Sequence, residues 1–250
     1  PIHQRRLMPL LAQAVAFGFT SQELIRMLAV TNQALDALEP GDPKLEETME
    51  LLKSTHATSS GLKAFCTWAT LQTIEICRQA CGGHGYSSYT GLAPLYNDFA
   101  VHCTWEGDNT ILALQSGRAL ISAYLEAKAG KTQGDALKYL NNLDEVLKAK
   151  CSSNEELNTF DGIENGFNTA TAHFVKLAAE EYDNLIKSGV TREQAFEQCS
   201  QIRFVAASIH TSLFVFRQFR HAVEHQKDEG DGVKETLATL ALFYGLWQIE

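Results

Sequence analysis

Apolar residues recur at steps of three and four along almost the whole chain, and no stretch alternates apolar with polar β-formers. The pattern predicts a nearly all-helical protein. A first helix is expected from about Arg5 to Leu38, ended by Glu39-Pro40-Gly41-Asp42-Pro43. Asp42 can cap a second helix with Pro43 at its first position, where a missing N–H costs nothing. That helix is expected to reach about Ala80, with Leu45, Met49, Leu52, Leu62, Cys66, Ala69, Thr73, Ile76 and Ala80 on one stripe. Ser59-Ser60-Gly61 is its weak point and Cys81-Gly82-Gly83 its stop.

A Gly-rich loop is expected over Cys81 to Gly91, a short element over about Leu92 to Val101, and a second loop over Cys103 to Thr110. Asp108 or Asn109 can cap the next helix, which carries Ile111, Leu112, Leu114 and Leu120 to about Ala129. Gly130-Lys131-Thr132-Gln133-Gly134 is a polar break and divides the chain into residues 1–130 and 131–250. Beyond it come a helical stretch near Asp135 to Ala149 and a long helix near Asn154 to Lys187, stopped by Gly189. Thr191 with Gln194 reads as a capping box. The helix it opens sets Cys199, Ile202, Ala206, Ile209, Leu213 and Phe216 on a seam that serves either the core or a partner. Lys227 to Gly232 breaks that helix before a last one that runs to Glu250.

Composition narrows the function classes. A 45% hydrophobic share in 250 residues excludes wholesale disorder. The net charge is -9, and no Lys/Arg stripe forms, so no nucleic-acid partner is expected. No apolar run approaches the roughly 18 residues of a membrane span. The chain opens on Pro1-Ile2-His3 and ends on an apolar, aromatic segment (Phe243, Tyr244, Leu246, Trp247), so a piece of a longer chain is expected. Six Cys do not make a disulfide-dense scaffold, and reduced thiols are the simpler expectation. Cys77, Cys81 and His84, with Cys103 or His102, could nominally form a zinc set, but the glycines crowding the segment argue for no metal.

Two loops carry candidate chemistry. In Arg78-Gln79-Ala80-Cys81-Gly82-Gly83-His84-Gly85-Tyr86, three glycines in four residues permit positive φ or close backbone approach. The segment is either an anion-binding nest or a helix C-cap followed by a tight turn. It follows no strand, so it is not a dinucleotide fingerprint. In Trp105-Glu106-Gly107-Asp108-Asn109-Thr110, Glu106 is either a helix-terminus charge or a catalytic base. A carboxylate desolvated beside Trp105 and Cys103 suits proton removal near neutral pH, and Gly107 gives it room to swing.

These two motifs, in this order and about twenty positions apart, resemble the acyl-CoA oxidases, peroxisomal flavoproteins of the acyl-CoA dehydrogenase superfamily. The Trp before the glutamate and the Asp-Asn-Thr after it resemble the fungal members most. Gly61-Leu62-Lys63-Ala64-Phe65 and Leu10-Leu11-Ala12 extend the resemblance, which is strong over about residues 5 to 125. Farther on, Phe243-Tyr244-Gly245-Leu246 resembles the family's second helical domain. The resemblance implies an all-α chain, with an acyl-CoA dehydrogenase-like C-terminal bundle over 1–130 and a truncated second helical domain over 131–250. Family members are well over twice this length, and their preceding helical and β domains bind much of the flavin and acyl-CoA.

By resemblance, Glu106 is the base that removes the α-proton of the acyl thioester. The β-hydride passes to FAD, a trans-2-enoyl-CoA forms, and O2 takes the electrons and leaves as hydrogen peroxide. The Glu106 N–H helps hold the thioester oxygen, and Trp105 and Gly107 lie against the substrate. Gln79, Ala80, Cys81, Gly82 and Gly83 match the segment that contacts FAD from a neighbouring subunit, which implies a homodimer. Asp108 and Thr110 stand where dehydrogenases place a Thr and a Gln on FAD, so the residue types differ there. The family also implies a peroxisomal location, and no turnover is expected from the 250 residues alone. The alternatives are a dehydrogenase that passes electrons to an electron-transfer protein and a non-catalytic helical dimerisation module.

Overall fold

The computed structural model describes residues 1–151, 153–225 and 232–250, and among them there is no strand. The all-α fold therefore follows the periodicity. In chain order the helices are α1 (Ile2–Asp36), α2 (Leu45–Ala80), α3 (Gly83–Tyr86), α4 (Leu92–Ala100), α5 (Asn109–Lys128), α6 (Leu143–Val146), α7 (Asn154–Leu157), α8 (Phe160–Lys187), α9 (Arg192–Gln198), α10 (Ser200–His225) and α11 (Val233–Ile249). Short 3-10 turns lie at Ser88–Thr90, Val101–Cys103 and Asp135–Leu140.

α10 is the centre of the bundle, packed by α8, α5, α1, α11 and α2. Its seam faces inward: Cys199, Ala206, Leu213 and Phe216 are buried within the single chain. Ala12, Leu62, Leu120 and Ile121, from before the polar break, share one cluster with Phe167, Val175, Phe219 and Tyr244, from after it. Among small side chains, Gly61 lets α2 approach α5 and α10 closely. A Cβ there would lie 2.7 Å from Thr211 Oγ1 and 2.9 Å from Ser116 Oγ. The expected weak point at Ser59-Ser60-Gly61 is thus a helix crossing, and α2 runs through it unbroken.

Several boundaries differ from the sequence expectation. α1 ends at Asp36, two residues before Leu38. α2 begins at Leu45 because Asp42 Oδ1 accepts from the Lys44 N–H and closes a turn of its own, so Asp42 does not cap the helix. On the expected stripe Leu45 and Met49 are exposed. The polar Thr48 and Thr55 are buried instead, Thr55 through a hydroxyl pair with Thr31 at 2.8 Å. The loop from Cys81 to Gly91 is largely helical turn. The helix expected from Asn154 to Lys187 breaks after Leu157. Thr159 Oγ1 caps α8 through the Gly162 N–H, and a Cβ on Gly162 would meet the Glu156 carbonyl. Likewise Cys199 separates α9 from α10, although the Thr191–Gln194 capping box forms as expected. Of the expected break over Lys227 to Gly232, residues 227–231 lie outside the described residues, and α11 starts after Gly232. No helix among the described residues is long and apolar enough to cross a membrane.

Candidate active site

The Glu106 segment joins α4 to α5. The Thr104 and Trp105 N–H groups both donate to the Val101 carbonyl, which closes the Val101–Cys103 turn. Trp105 Nε1 donates to His102 Nδ1 at 3.1 Å, so the neutral imidazole carries its proton on Nε2. The His102 ring in turn lies 4.7 Å from that of Phe99. Glu106 follows with φ 56, and no other non-glycine residue among those described has a positive φ. An L-residue held there costs roughly 1–2 kcal/mol. Gly107 has φ 109, and a Cβ would stand 3.0 Å from Leu112 Cδ2, so only glycine fits. Asp108 then caps α5, its Oδ1 accepting from the N–H groups of Thr110 at 2.9 Å and Ile111 at 3.3 Å.

α2 reaches across to this turn. Lys63 Nζ donates to the Gly107 carbonyl at 2.6 Å and to Asn109 Oδ1 at 2.8 Å. Asn109 is fully buried, and its Nδ2 donates to Thr67 Oγ1 at 2.9 Å. Lys63 and Thr67 escaped the sequence reading as site residues, although Lys63 lies within a helix segment that carries the resemblance. Asn109 entered it only as an alternative cap and within the Asp-Asn-Thr that follows the glutamate.

At the C-terminal end of α2, Arg78 grips Glu75 through Nε at 2.7 Å and Nη2 at 2.6 Å. Gln79 Nε2 adds a third bond to Glu75 at 2.7 Å. The Arg78 guanidinium first, and then the Gln79 amide, hold the Glu75 carboxyl down to about 2. The Cys81 and Gly82 N–H groups bond back to Arg78 and Gln79, so the C-cap reading of the turn is realised. Gly85 packs so closely on the Arg78 carbonyl that a Cβ would lie 1.9 Å from its oxygen. Gly82 (φ 61) and Gly83, by contrast, face open space, so a flat group can approach their backbone. In that respect the turn fits a flavin.

Other expectations meet a different environment. Glu106 is exposed and Trp105 is 50% exposed, because nothing in these residues covers the outer face of the indole. The expected desolvation by Trp105 and Cys103 is not supplied among the described residues. Tyr86, Tyr89, Leu95, Val101 and Ile111 are exposed as well. Thr110 is exposed one residue into α5 from Asn109. Among the described residues no group of three or more His, Cys, Asp or Glu could hold a metal ion, so Cys77, Cys81 and His84 do not converge with Cys103 or His102. The six cysteines are free thiols.

Residues 1–121 match the family model for the acyl-CoA oxidase C-alpha1 domain, and residues 159–250 match the acyl-CoA oxidase model. Acyl-coenzyme A oxidase 2 of Yarrowia lipolytica is 39% identical over 100% of this chain and 35% of its own length. Peroxisomal acyl-coenzyme A oxidase 1 of Rattus norvegicus is 32% identical over 98% of this chain and 36% of its own. The crystal structure of acyl-CoA oxidase 1 from Yarrowia lipolytica superposes with a TM-score of 0.91 at 37% identity, over 100% of this chain and 36% of that one. Acyl-CoA oxidase-1 of Caenorhabditis elegans, complexed with FAD and ATP, superposes at 0.83 with 28% identity, over 98% and 35%. The chain thus spans about a third of the length of the relatives it matches.

Proposed function

Because the chain belongs to the acyl-CoA oxidase family, we propose that it is the C-terminal helical part of a FAD-dependent oxidase acting in fatty acid β-oxidation. The reaction converts an acyl-CoA and O2 into a trans-2-enoyl-CoA and hydrogen peroxide. The observation that carries this reading at the residue level is the backbone of Glu106, held at φ 56 between Trp105 and Gly107. Strained non-glycine backbone persists where a site over-determines it.

In this reading Glu106 takes the α-proton of the acyl thioester. Its N–H faces the thioester oxygen, where enolate charge develops and a fixed donor lowers the barrier. Trp105 and Gly107 line the substrate, and their exposure in this chain suits a surface that substrate and further protein cover. Gln79, Ala80, Cys81, Gly82 and Gly83 hold FAD from the neighbouring subunit of a homodimer, the open backbone of Gly82 and Gly83 supporting that approach. Asp108 and Thr110 lie beside the same cofactor, although Asp108 already spends Oδ1 on the helix cap. FAD, when bound, supplies the hydride acceptor and delivers the electrons to O2. Residues 1–130 and 131–250 act as two helical domains packed through α10. The peroxisome is the proposed location, supported by the name of the rat relative.

The test uses the full-length protein with bound flavin. Adding a long-chain acyl-CoA should release hydrogen peroxide as it bleaches the flavin, while the 250 residues alone give no turnover. Bleaching without peroxide would assign the protein to the dehydrogenases, and a protein without flavin would leave only the helical-module alternative.

A further inference from the structure

We propose that Lys63 is a positioning residue for the Glu106 carboxylate and acts through the carbonyl of Gly107. The inference rests on the role given to Glu106 above. Glu106 and Gly107 have consecutive positive φ values of 56 and 109, a conformation an isolated Glu-Gly segment leaves readily. The 2.6 Å bond from Lys63 Nζ to the Gly107 carbonyl fixes the peptide just beyond the strained residue.

The polar ring behind that bond has a single consistent set of donors. An ammonium only donates, so Asn109 must present Oδ1 to Lys63 and Nδ2 to Thr67. The Thr67 hydroxyl donates to the Lys63 carbonyl at 2.7 Å, so its oxygen is free to accept from Asn109. Asn109 is fully buried, and its amide cannot turn without orphaning a buried group. Two residues before Lys63, Gly61 sits in the tight crossing of α2 with α5 and α10, so the helix bearing Lys63 cannot slide.

Helix stability does not explain the lysine. Its ammonium sits at the N-terminal end of α5, where the helix dipole disfavours a cation. Its geometry instead refers the Glu106 turn to the rigid pair α2 and α5.

The test uses the full-length, flavin-loaded enzyme. Lys63→Met keeps the aliphatic stem and removes the donor. Its kcat should fall about 10- to 100-fold, the scale expected when a reacting group is misplaced by an ångström. Flavin content and KM should change little, and the isotope effect on kcat with α-deuterated acyl-CoA should rise as proton removal becomes rate-limiting. Lys63→Arg, which retains a donor, should recover part of the rate. A lowered melting temperature with unchanged kcat per bound flavin and an unchanged isotope effect would overturn the proposal. If Lys63→Met fails to fold, Thr67→Val cuts the same ring one bond farther back. It should raise the isotope effect with a smaller loss of kcat, and native values there would equally overturn the proposal. Glu106→Gln in parallel separates the two assignments. Native turnover in Glu106→Gln removes the base itself, whereas an inactive Glu106→Gln beside a native Lys63→Met removes only the positioning role.

Discussion

The Tyr139 hydroxyl lies 3.2 Å from Nδ1 of His210, and both side chains are buried. Burial, reinforced by the Arg217 guanidinium, pushes the imidazole down to about 3, and burial pushes the phenol up. The imidazole is therefore neutral in the folded chain and shares one hydrogen bond with the phenol. The unfolded chain takes up a proton on this histidine below about pH 6.5, and the folded chain does so only near pH 3. The folded state is thus penalised as pH falls from about 6.5 towards 3, and not above that window. His210→Gln should destabilise the chain at pH 7 through lost packing, with a deficit that shrinks at pH 5 and pH 4. Urea unfolding at the three pH values checks this, and a constant deficit would contradict it.

Gly117 lies against Arg203, where a Cβ would stand 2.5 Å from both the Cγ and the carbonyl oxygen. Gly117→Ala should therefore cost about 1–3 kcal/mol by forcing α5 and α10 apart. Gly18, in α1, has nothing within 4 Å of its would-be Cβ. Gly18→Ala should be neutral or stabilising by up to about 1 kcal/mol, from helix propensity alone. Thermal melts should show a lowered midpoint for Gly117→Ala and an unchanged or raised one for Gly18→Ala.

The sequence reached the helices where local chemistry decides them. Thr191 and Gln194 form their capping box, and Asp108 caps α5, because each device lies within four residues of chain. It missed the breaks at Asn158-Thr159 and Cys199, where three-four periodicity continues although the backbone stops. At the first of these, contact of Gly162 with the Glu156 carbonyl sets the turn, which periodicity does not encode. The motif around Glu106 was legible because its residues adjoin one another. Lys63 was not, because its partner Gly107 is 44 residues away and only the packing of α2 on α5 brings them together.

Asp108 separates capping from cofactor contact. Asp108→Ala removes both backbone bonds and should cost about 0.5–2 kcal/mol. Asp108→Ser restores an acceptor at the cap and should recover most of that stability. If the carboxylate also holds FAD, the full-length Asp108→Ser protein will still lose flavin on gel filtration. Full flavin retention would confine Asp108 to the cap.

The role proposed for Glu106 is removal of the substrate's α-proton. Its most direct test is anaerobic stopped-flow of the full-length flavoprotein, following flavin bleaching after mixing with acyl-CoA, for the native protein and for Glu106→Gln. Without O2 only the reductive half of the reaction is observed. Bleaching should be rapid in the native protein and slower by about 10²- to 10⁴-fold in Glu106→Gln. Bleaching of Glu106→Gln at the native rate would contradict that role.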